Sequence, residues 1–202
     1  MASASEHILR VDPAFAAIVD AAGPFDPRPP DGDYLGSLAR AIVYQQLAGN
    51  AARAIHGRFV ALYDGNPTAE AILKTPVQDL RSAGLSGNKA TSILDLALKV
   101  SDGTVPLERI DELADDEVVA RLSTIRGIGR WTAEMFLLFQ LGRPDVWPVD
   151  DFGVRKGFAR IHQLAEPPKP KALDALGEVY RPYRSAAAWY CWRAVDTVLP
   201  TA

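Results

Sequence analysis

Apolar residues recur at spacings of three and four along most of this chain, the signature of helices with one buried face. From Tyr34, YLGSLARAIVYQQLAG sets Leu35, Leu38, Ala39, Ile42 and Val43 on one stripe and predicts a helix. NAARAIHGRFVALYDG predicts a second, ending at Gly65 before Asn66-Pro67, and Thr68 is the expected N-cap of AEAILKT. PVQDLRSAGLSGNKATSILDLALKVSDG predicts a short helix, a turn at Gly84 and Gly87, and a helix stopped at Gly103. Asp111 to Thr124 predicts another, with acids in its early turns as the macrodipole prefers. A tight turn in IRGIGR then leads into the apolar helix WTAEMFLLFQLG, and the tail offers VDDFGVRKGFARI, PKALDALGEVY and YRSAAAWYCWRAVDTVL. Ahead of Tyr34 stand a short apolar stretch, Ala14 to Ala22, and a Pro-rich connector, PFDPRPPDGD, that cannot be helical throughout. Few stretches alternate with period two, so the expected class is all-α, with no long-period repeat or low-complexity segment.

At 202 residues the chain can form one domain with a sizeable core, or two small lobes sharing a cleft. No apolar run approaches the roughly 18 residues that would span a membrane, and MASASEHILR lacks a signal-peptide h-region. One cysteine, Cys191, excludes an internal disulfide framework and a four-cysteine zinc or iron–sulfur site. His7, His56 and His162 have no metal-ligand spacing. A reduced, cytoplasmic setting is expected. The net charge of −3 counts against nucleic acid, because phosphates call for Lys and Arg. Yet acids cluster from Asp111 to Glu117, while Arg126, Arg130, Arg143, Arg155, Lys156, Arg160, Arg181, Arg184 and Arg193 fall late in the chain. A local basic face is compatible with the total.

The most informative stretch is LSTIRGIGRWTAEMF. Gly127 and Gly129 allow positive φ and leave no Cβ between backbone and ligand. The second glycine opens a helix, so free N–H groups and the positive helix end point outward together, an anion site suited to one DNA phosphate. Leu122 and Ile125 before the turn, with Ala133, Phe136 and Leu137 after it, would hold the two helices together. Taken alone, GxG between helices is better explained as an ordinary αα-hairpin with a glycine C-cap.

The surroundings add more. GIGRWTA is followed, 20 residues after Trp131, by an aspartate in a Pro-Val-Asp-Asp-Phe setting. This arrangement resembles the helix-hairpin-helix (HhH-GPD) DNA glycosylase superfamily, most closely its 3-methyladenine DNA glycosylase II branch. AIVYQQLAGNAARAI, GLSGNKATSILDLA and YRPYRSAAAWYCWR are similar to other recurrent blocks of that branch, so the resemblance covers about residues 34 to 198. The chain differs from some members in lacking an N-terminal β-rich domain and from others in lacking a cysteine cluster for iron–sulfur. The resemblance implies one glycosylase unit over 1–202, with a central helical lobe at about 34–142 and a second from about 1–33 plus 143–202. The helix-hairpin-helix and an active-site cleft are expected between the two lobes. The implied partner is duplex DNA containing alkylated bases, the protein a monomer, nucleoid-associated if its source is bacterial.

An enzyme that cuts an N-glycosidic bond must flip the nucleotide out of the stack, and its oxocarbenium-like transition state favours a nearby carboxylate. An N-alkylated purine already carries positive charge and leaves without a proton, so one aspartate suffices. By resemblance that residue is Asp151, its charge favoured by a helix N-terminus, while Asp150 is the expected N-cap of FGVRKGF. From spacing alone both acids could merely cap. Strand-cleaving relatives carry a Schiff-base lysine where this chain has Trp131, which implies a monofunctional enzyme leaving an abasic site. Trp131 and Trp192 match pocket-lining positions of the branch, with Tyr44 and Trp189 as weaker candidates, although tryptophans in such helices often pack in the core. An electron-rich wall attracts a cationic base, by about 2 kcal/mol when desolvated.

Leu47 lies where the branch places the wedge that fills the gap left by a flipped base, and Gln46 is a candidate contact to the orphaned partner base. Arg126, Arg130 and Lys89 are candidates for phosphate contact. Backbone carbonyls of Ser123, Ile125 and Ile128 are expected to hold a structural Na⁺ or K⁺, with no catalytic cofactor required. GNKATS lacks P-loop spacing. The function implied is hydrolytic excision of alkylated purines such as 3-methyladenine and 7-methylguanine. Two alternatives are a glycosylase for oxidised or deaminated bases and a non-catalytic helix-hairpin-helix DNA-binding module.

Overall fold

The computed structural model describes residues 3–26 and 32–196. All regular structure among the described residues is helical. In chain order the α-helices are α1 (Ala4–Val11), α2 (Ala16–Ala22), α3 (Tyr34–Tyr44), α4 (Gly49–Ala61), α5 (Ala69–Lys74), α6 (Val77–Ser82), α7 (Gly87–Ser101), α8 (Asp115–Leu122), α9 (Arg130–Phe139), α10 (Phe152–Ile161), α11 (Pro170–Gly177) and α12 (Arg184–Asp196). Single 3₁₀ segments lie at Pro13–Phe15, Leu107–Glu112 and Glu178–Tyr180. Part of the Pro-rich connector and the last residues of the tail helix expected from the sequence lie outside the described residues. The chain divides into two compact units, Pro30–Phe136 and a second formed by Met1–Pro29 with Leu137–Ala202.

In the Pro30–Phe136 unit four of the five residues of the predicted α3 stripe, Leu38, Ala39, Ile42 and Val43, are fully inside, joined by Phe59, Ile72, Leu80, Ile93, Leu96 and Leu122, while Leu35 is half-buried. The Thr68 hydroxyl accepts from the Ala71 N–H, the cap expected there. Two boundaries differ from expectation. α3 stops at Tyr44 rather than running to Gly49, because Lys89 Nζ donates to the carbonyls of Val43 and Gln45 and replaces the next helical turn. The helix expected from Asp111 begins at Asp115, and Leu107–Glu112 forms tighter turns broken at Arg109 (φ −131°). Asp115, Asp116 and Glu117 then fill the first turn of α8, where carboxylates offset the unpaired N–H groups.

The second unit contains a helix that the apolar pattern did not announce. α1 begins with a reciprocal cap in which the Ser3 hydroxyl accepts from the Glu6 N–H and the Glu6 carboxylate from the Ser3 N–H. Ile8, Phe15 and Ile18 from this end are buried with Tyr180, Tyr190 and Leu173. Tyr190 hydroxyl bonds Ser5 Oγ at 2.7 Å and the Gly23 carbonyl at 3.1 Å, so the polar edge of that core is paired. α10 and α12 form the most extensive helix contact of the unit. At Gly157 an added Cβ would overlap the Cys191 carbonyl, and at Gly177 it would overlap the Trp147 ring.

Backbone cannot move aside as a flexible side chain does. Gly157→Ala is therefore expected to destabilise the fold by at least about 2 kcal/mol, in the upper range of overpacking changes, read as a lower urea midpoint at unchanged slope.

Candidate functional site

The hairpin turn lies between α8 and α9, and its two glycines divide the work expected of both. Only Gly127 has positive φ (+82°); Gly129 does not, but a Cβ there would meet open space. Gly129 thus leaves the approach to the N-terminus of α9 open, while Gly127 makes the turn. Leu122, Ile125, Ala133, Phe136 and Leu137 are buried, as the helix-joining role requires. Ile128 is also buried, so it can offer a ligand only its main chain. Arg130 donates from Nε to Glu134 Oε1 at 2.8 Å, yet its side chain stays 68% exposed while that of Glu134 is almost fully buried. Arg126 is exposed, and its backbone N–H is fixed by Asp95 Oδ2 at 2.7 Å.

Beside this turn stands the one between α3 and α4. Gln45 Nε2 donates to the Gly127 carbonyl at 2.8 Å, joining the two. Gln46 follows with positive φ (56°), and Leu47 is a large apolar side chain left 38% exposed. Such a backbone at a non-glycine residue persists only when its neighbours impose it. Lys89, expected to meet phosphate, is instead turned inward onto the carbonyls of Val43 and Gln45 at 2.7 and 2.8 Å, and burial lowers its pKa. Gln45 was not among the residues singled out from the sequence, since nothing local distinguishes it from Gln46. Tyr44 packs edge-on to His56 at 5.9 Å with the Arg40 guanidinium 4.5 Å from its ring centre. Trp131, on the first turn of α9, is 47% exposed.

In the other unit, Asp151 rather than Asp150 is the N-cap of α10. Its Oδ1 accepts from the Val154 N–H at 2.8 Å, and Asp150 is exposed on the preceding turn. The cause is simple: an N-cap oxygen reaches the N–H three residues on, and helical geometry starts at Phe152. Trp192 Nε1 donates to the same Oδ1 at 2.9 Å. Gly153 makes this possible, because a Cβ there would press on Trp192 Cδ1 and Asp151 Oδ1 at 2.9 and 3.0 Å. The Trp192 ring stacks at 5.6 Å and 30° on Phe139, which is itself half exposed. Phe139 reads in the sequence as one more apolar position of α9 and was missed. Trp189 goes elsewhere, packing on Phe25 and Tyr190 with Arg193 over its ring. Thus the structure joins Trp192 to Asp151, while Trp189 has Phe25, Tyr190 and Arg193 as its ring partners.

An all-α chain with a glycine hairpin opening a helix, and an aspartate held beside stacked aromatics, has the features of a helix-hairpin-helix DNA-repair protein. Residues 39–182 match the HhH-GPD superfamily base excision DNA repair protein family, and the chain belongs to it. It is 38% identical over 159 residues to DNA-3-methyladenine glycosylase 1 of Schizosaccharomyces pombe, spanning 77% of this chain and 70% of that protein. A solved structure of a 3-methyladenine DNA glycosylase from the same yeast, in complex with abasic DNA, superposes with a TM-score of 0.85 at 34% identity. That match covers 98% of this chain and 99% of the other. The crystal structure of a DNA-3-methyladenine glycosidase from Bacillus halodurans gives 0.89 at 32% identity, over 97% and 90%.

Because Asp151 both caps α10 and accepts from Trp192, comparing its removal with its amide separates structure from chemistry. Asp151→Ala is expected to cost about 1–2 kcal/mol in urea unfolding, the range of a lost N-cap, and Asp151→Asn less than half of that, since an amide oxygen still caps.

Proposed function

We propose that the chain is a monofunctional DNA glycosylase that hydrolyses the N-glycosidic bond of alkylated purines in duplex DNA, acting as a monomer. The observation that carries this reading is the Asp151 carboxylate, held at Oδ1 by Val154 and Trp192 next to the Trp192–Phe139 stack. The relatives named 3-methyladenine glycosylases and the abasic DNA of the yeast complex support it.

In the proposed reaction a cationic alkylated purine is flipped from the helix and received by aromatic surface, to which Trp192 and Phe139 are assigned. The bond between the sugar C1′ and the base nitrogen breaks with its electron pair passing to the base, which leaves neutral. Positive charge builds on the sugar, and the anion at Asp151 lowers the energy of that state. Two N–H donors on one oxygen fix where the negative charge sits before the substrate arrives. Water adds to C1′ and gives its proton to Asp151 or to solvent, leaving an abasic sugar and an intact strand. With Trp131 where an amine would be needed, no Schiff base forms on the sugar.

Exposed Leu47 is assigned to fill the vacated stack, with Gln46 beside the partner base. Gly129, Arg126 and Arg130 are assigned to the backbone phosphates. The carbonyls of Ser123, Ile125 and Ile128 lie at and beyond the C-terminal end of α8, whose partial negative charge suits a hard cation. The Ile125 carbonyl also accepts from the Ile128 N–H at 3.0 Å, so the turn is already closed and such an ion would only reinforce it. Among the described residues no helix is long and apolar enough to cross a membrane. The compartment assigned is the one holding the DNA: the cytoplasm, on the nucleoid, if the source is bacterial.

Incubation with methylated duplex DNA should release 3-methyladenine and 7-methylguanine, and the product strand should break only after alkali. Asp151→Asn is expected to lower the single-turnover rate by about 100-fold or more, the loss typical for one preorganised electrostatic group, while still binding abasic duplex. Base release by this variant at the wild-type rate would overturn the assignment of Asp151, and strand cleavage without alkali would overturn the monofunctional reading. Trp192→Phe keeps an aromatic ring but not the donor. It should lower kcat by about ten-fold with a smaller effect on KM, since only the bond to Asp151 is lost.

A further inference from the structure

Three polar residues of α7 recur at every third position: Lys89, Ser92 and Asp95. That spacing puts them on one face of the helix. Each addresses one of the two exposed turns. Lys89 Nζ takes the carbonyls of Val43 and Gln45, directly before the positive-φ residue Gln46 and the exposed Leu47. Ser92 is buried beneath Gly127, where an added Cβ would lie 3.0 Å from its Oγ. Asp95 Oδ2 accepts the Arg126 N–H at 2.7 Å and is held in turn by Lys99 at 2.9 Å. Between the turns themselves runs the bond from Gln45 Nε2 to the Gly127 carbonyl.

We propose that this polar face of α7 is a positioning scaffold that holds the Leu47 turn and the Gly127 turn in one register, so that wedge insertion and phosphate anchoring occur as a single event on the duplex. The inference rests on the DNA-binding reading above and assigns Lys89, Gln45 and Asp95 to positioning rather than to contact. Its physical basis is the cost of the arrangement. An ammonium group turned inward loses solvation, and that burial lowers the pKa of Lys89. For Asp95, burial opposes ionisation, but the Arg126 N–H and the Lys99 ammonium outweigh it and hold the carboxyl below its usual range. Groups so placed define the carbonyls and the amide that they grip to within a fraction of an ångström, the tolerance that a two-point grip on DNA requires. A helix end capped only by water would leave Leu47 free to sample many positions. The scaffold also accounts for a lysine and a glutamine that contribute nothing to the apolar core.

The test uses the full chain and two fluorescent duplexes of one sequence, one undamaged and one carrying a tetrahydrofuran abasic analogue. The quantity read is the ratio of the two affinities. Lys89→Met and Gln45→Leu should each lower that ratio by about ten-fold, because the wedge is used only where a base is missing or flipped. In a Leu47→Ala background the same substitutions should lower it by less than about two-fold, since coupled residues are not additive. Full additivity with Leu47→Ala, or equal weakening on both duplexes, would overturn the scaffold. Should Lys89→Met fail to fold, the Gln45→Leu cycle decides alone. A wild-type protein that releases no methylated base and shows no preference for the abasic duplex would instead overturn the functional reading beneath it.

Discussion

The hydrogen bond from Trp192 Nε1 to Asp151 Oδ1 depends on how closely α10 and α12 approach one another. Gly153 and Gly157 stand one helical turn apart on α10 and leave space where Trp192 and the Cys191 carbonyl lie. A side chain at Gly157 would force the helices apart, and one at Gly153 would press the indole away from the carboxylate. Ala187, Ala188 and Cys191 on α12 are fully buried and small, and at Gly157 the two helices meet backbone against backbone. The remaining core of that unit, from Ile8 and Phe15 to Tyr180 and Tyr190, packs around this pair. A geometric constraint on two glycines is therefore the origin of an electrostatic one on a single oxygen.

A comparable logic governs the Pro30–Phe136 unit, but polar groups carry it. α3 ends because a lysine from another helix takes its last carbonyls, and the chain then turns through Gln46 in a conformation it would not hold unaided. Apolar packing of Leu38, Ile42, Ile93 and Leu96 determines that α3 and α7 lie together. It leaves open how the turn beyond α3 is set, because apolar contacts are non-directional. Hydrogen bonds supply the direction. The division of labour is general: the core brings elements together, and a few buried polar contacts decide what they present.

How much of this was legible in the sequence follows from the range of each interaction. Local periodicity sufficed for the all-α class, for the buried stripe of α3 and for the Thr68 cap, which depend on neighbours a few residues away. Helix α1 was legible in principle through Ser3 and Glu6, an S-x-x-E pair, but its apolar face is only a few residues long, too short for a helical period to show. The ends of α3 and the true start of α8 were not legible, since tertiary contacts from Lys89 and a broken turn at Arg109 override propensity there. Among site residues, the glycine hairpin and the Asp150-Asp151 pair were readable as motifs. Which aspartate caps α10, that Lys89 turns inward and that Phe139 stacks on Trp192 are outcomes of packing between distant segments.

The net charge of −3 can be reconciled with a DNA-binding role through the same geometry. A surface that holds phosphates by ion pairing needs many exposed cations, each releasing a counterion and each steepening the salt dependence of binding. Here the cations near the turns are few and partly occupied. Lys89 is given over to carbonyls, and Arg130 shares its charge with the buried carboxylate of Glu134. What the hairpin offers instead is main chain: an open approach at Gly129 to the first N–H groups of α9, with the helix dipole behind them. Such donors act only at contact distance and demand a phosphate in one place. A grip of that kind favours position over attraction.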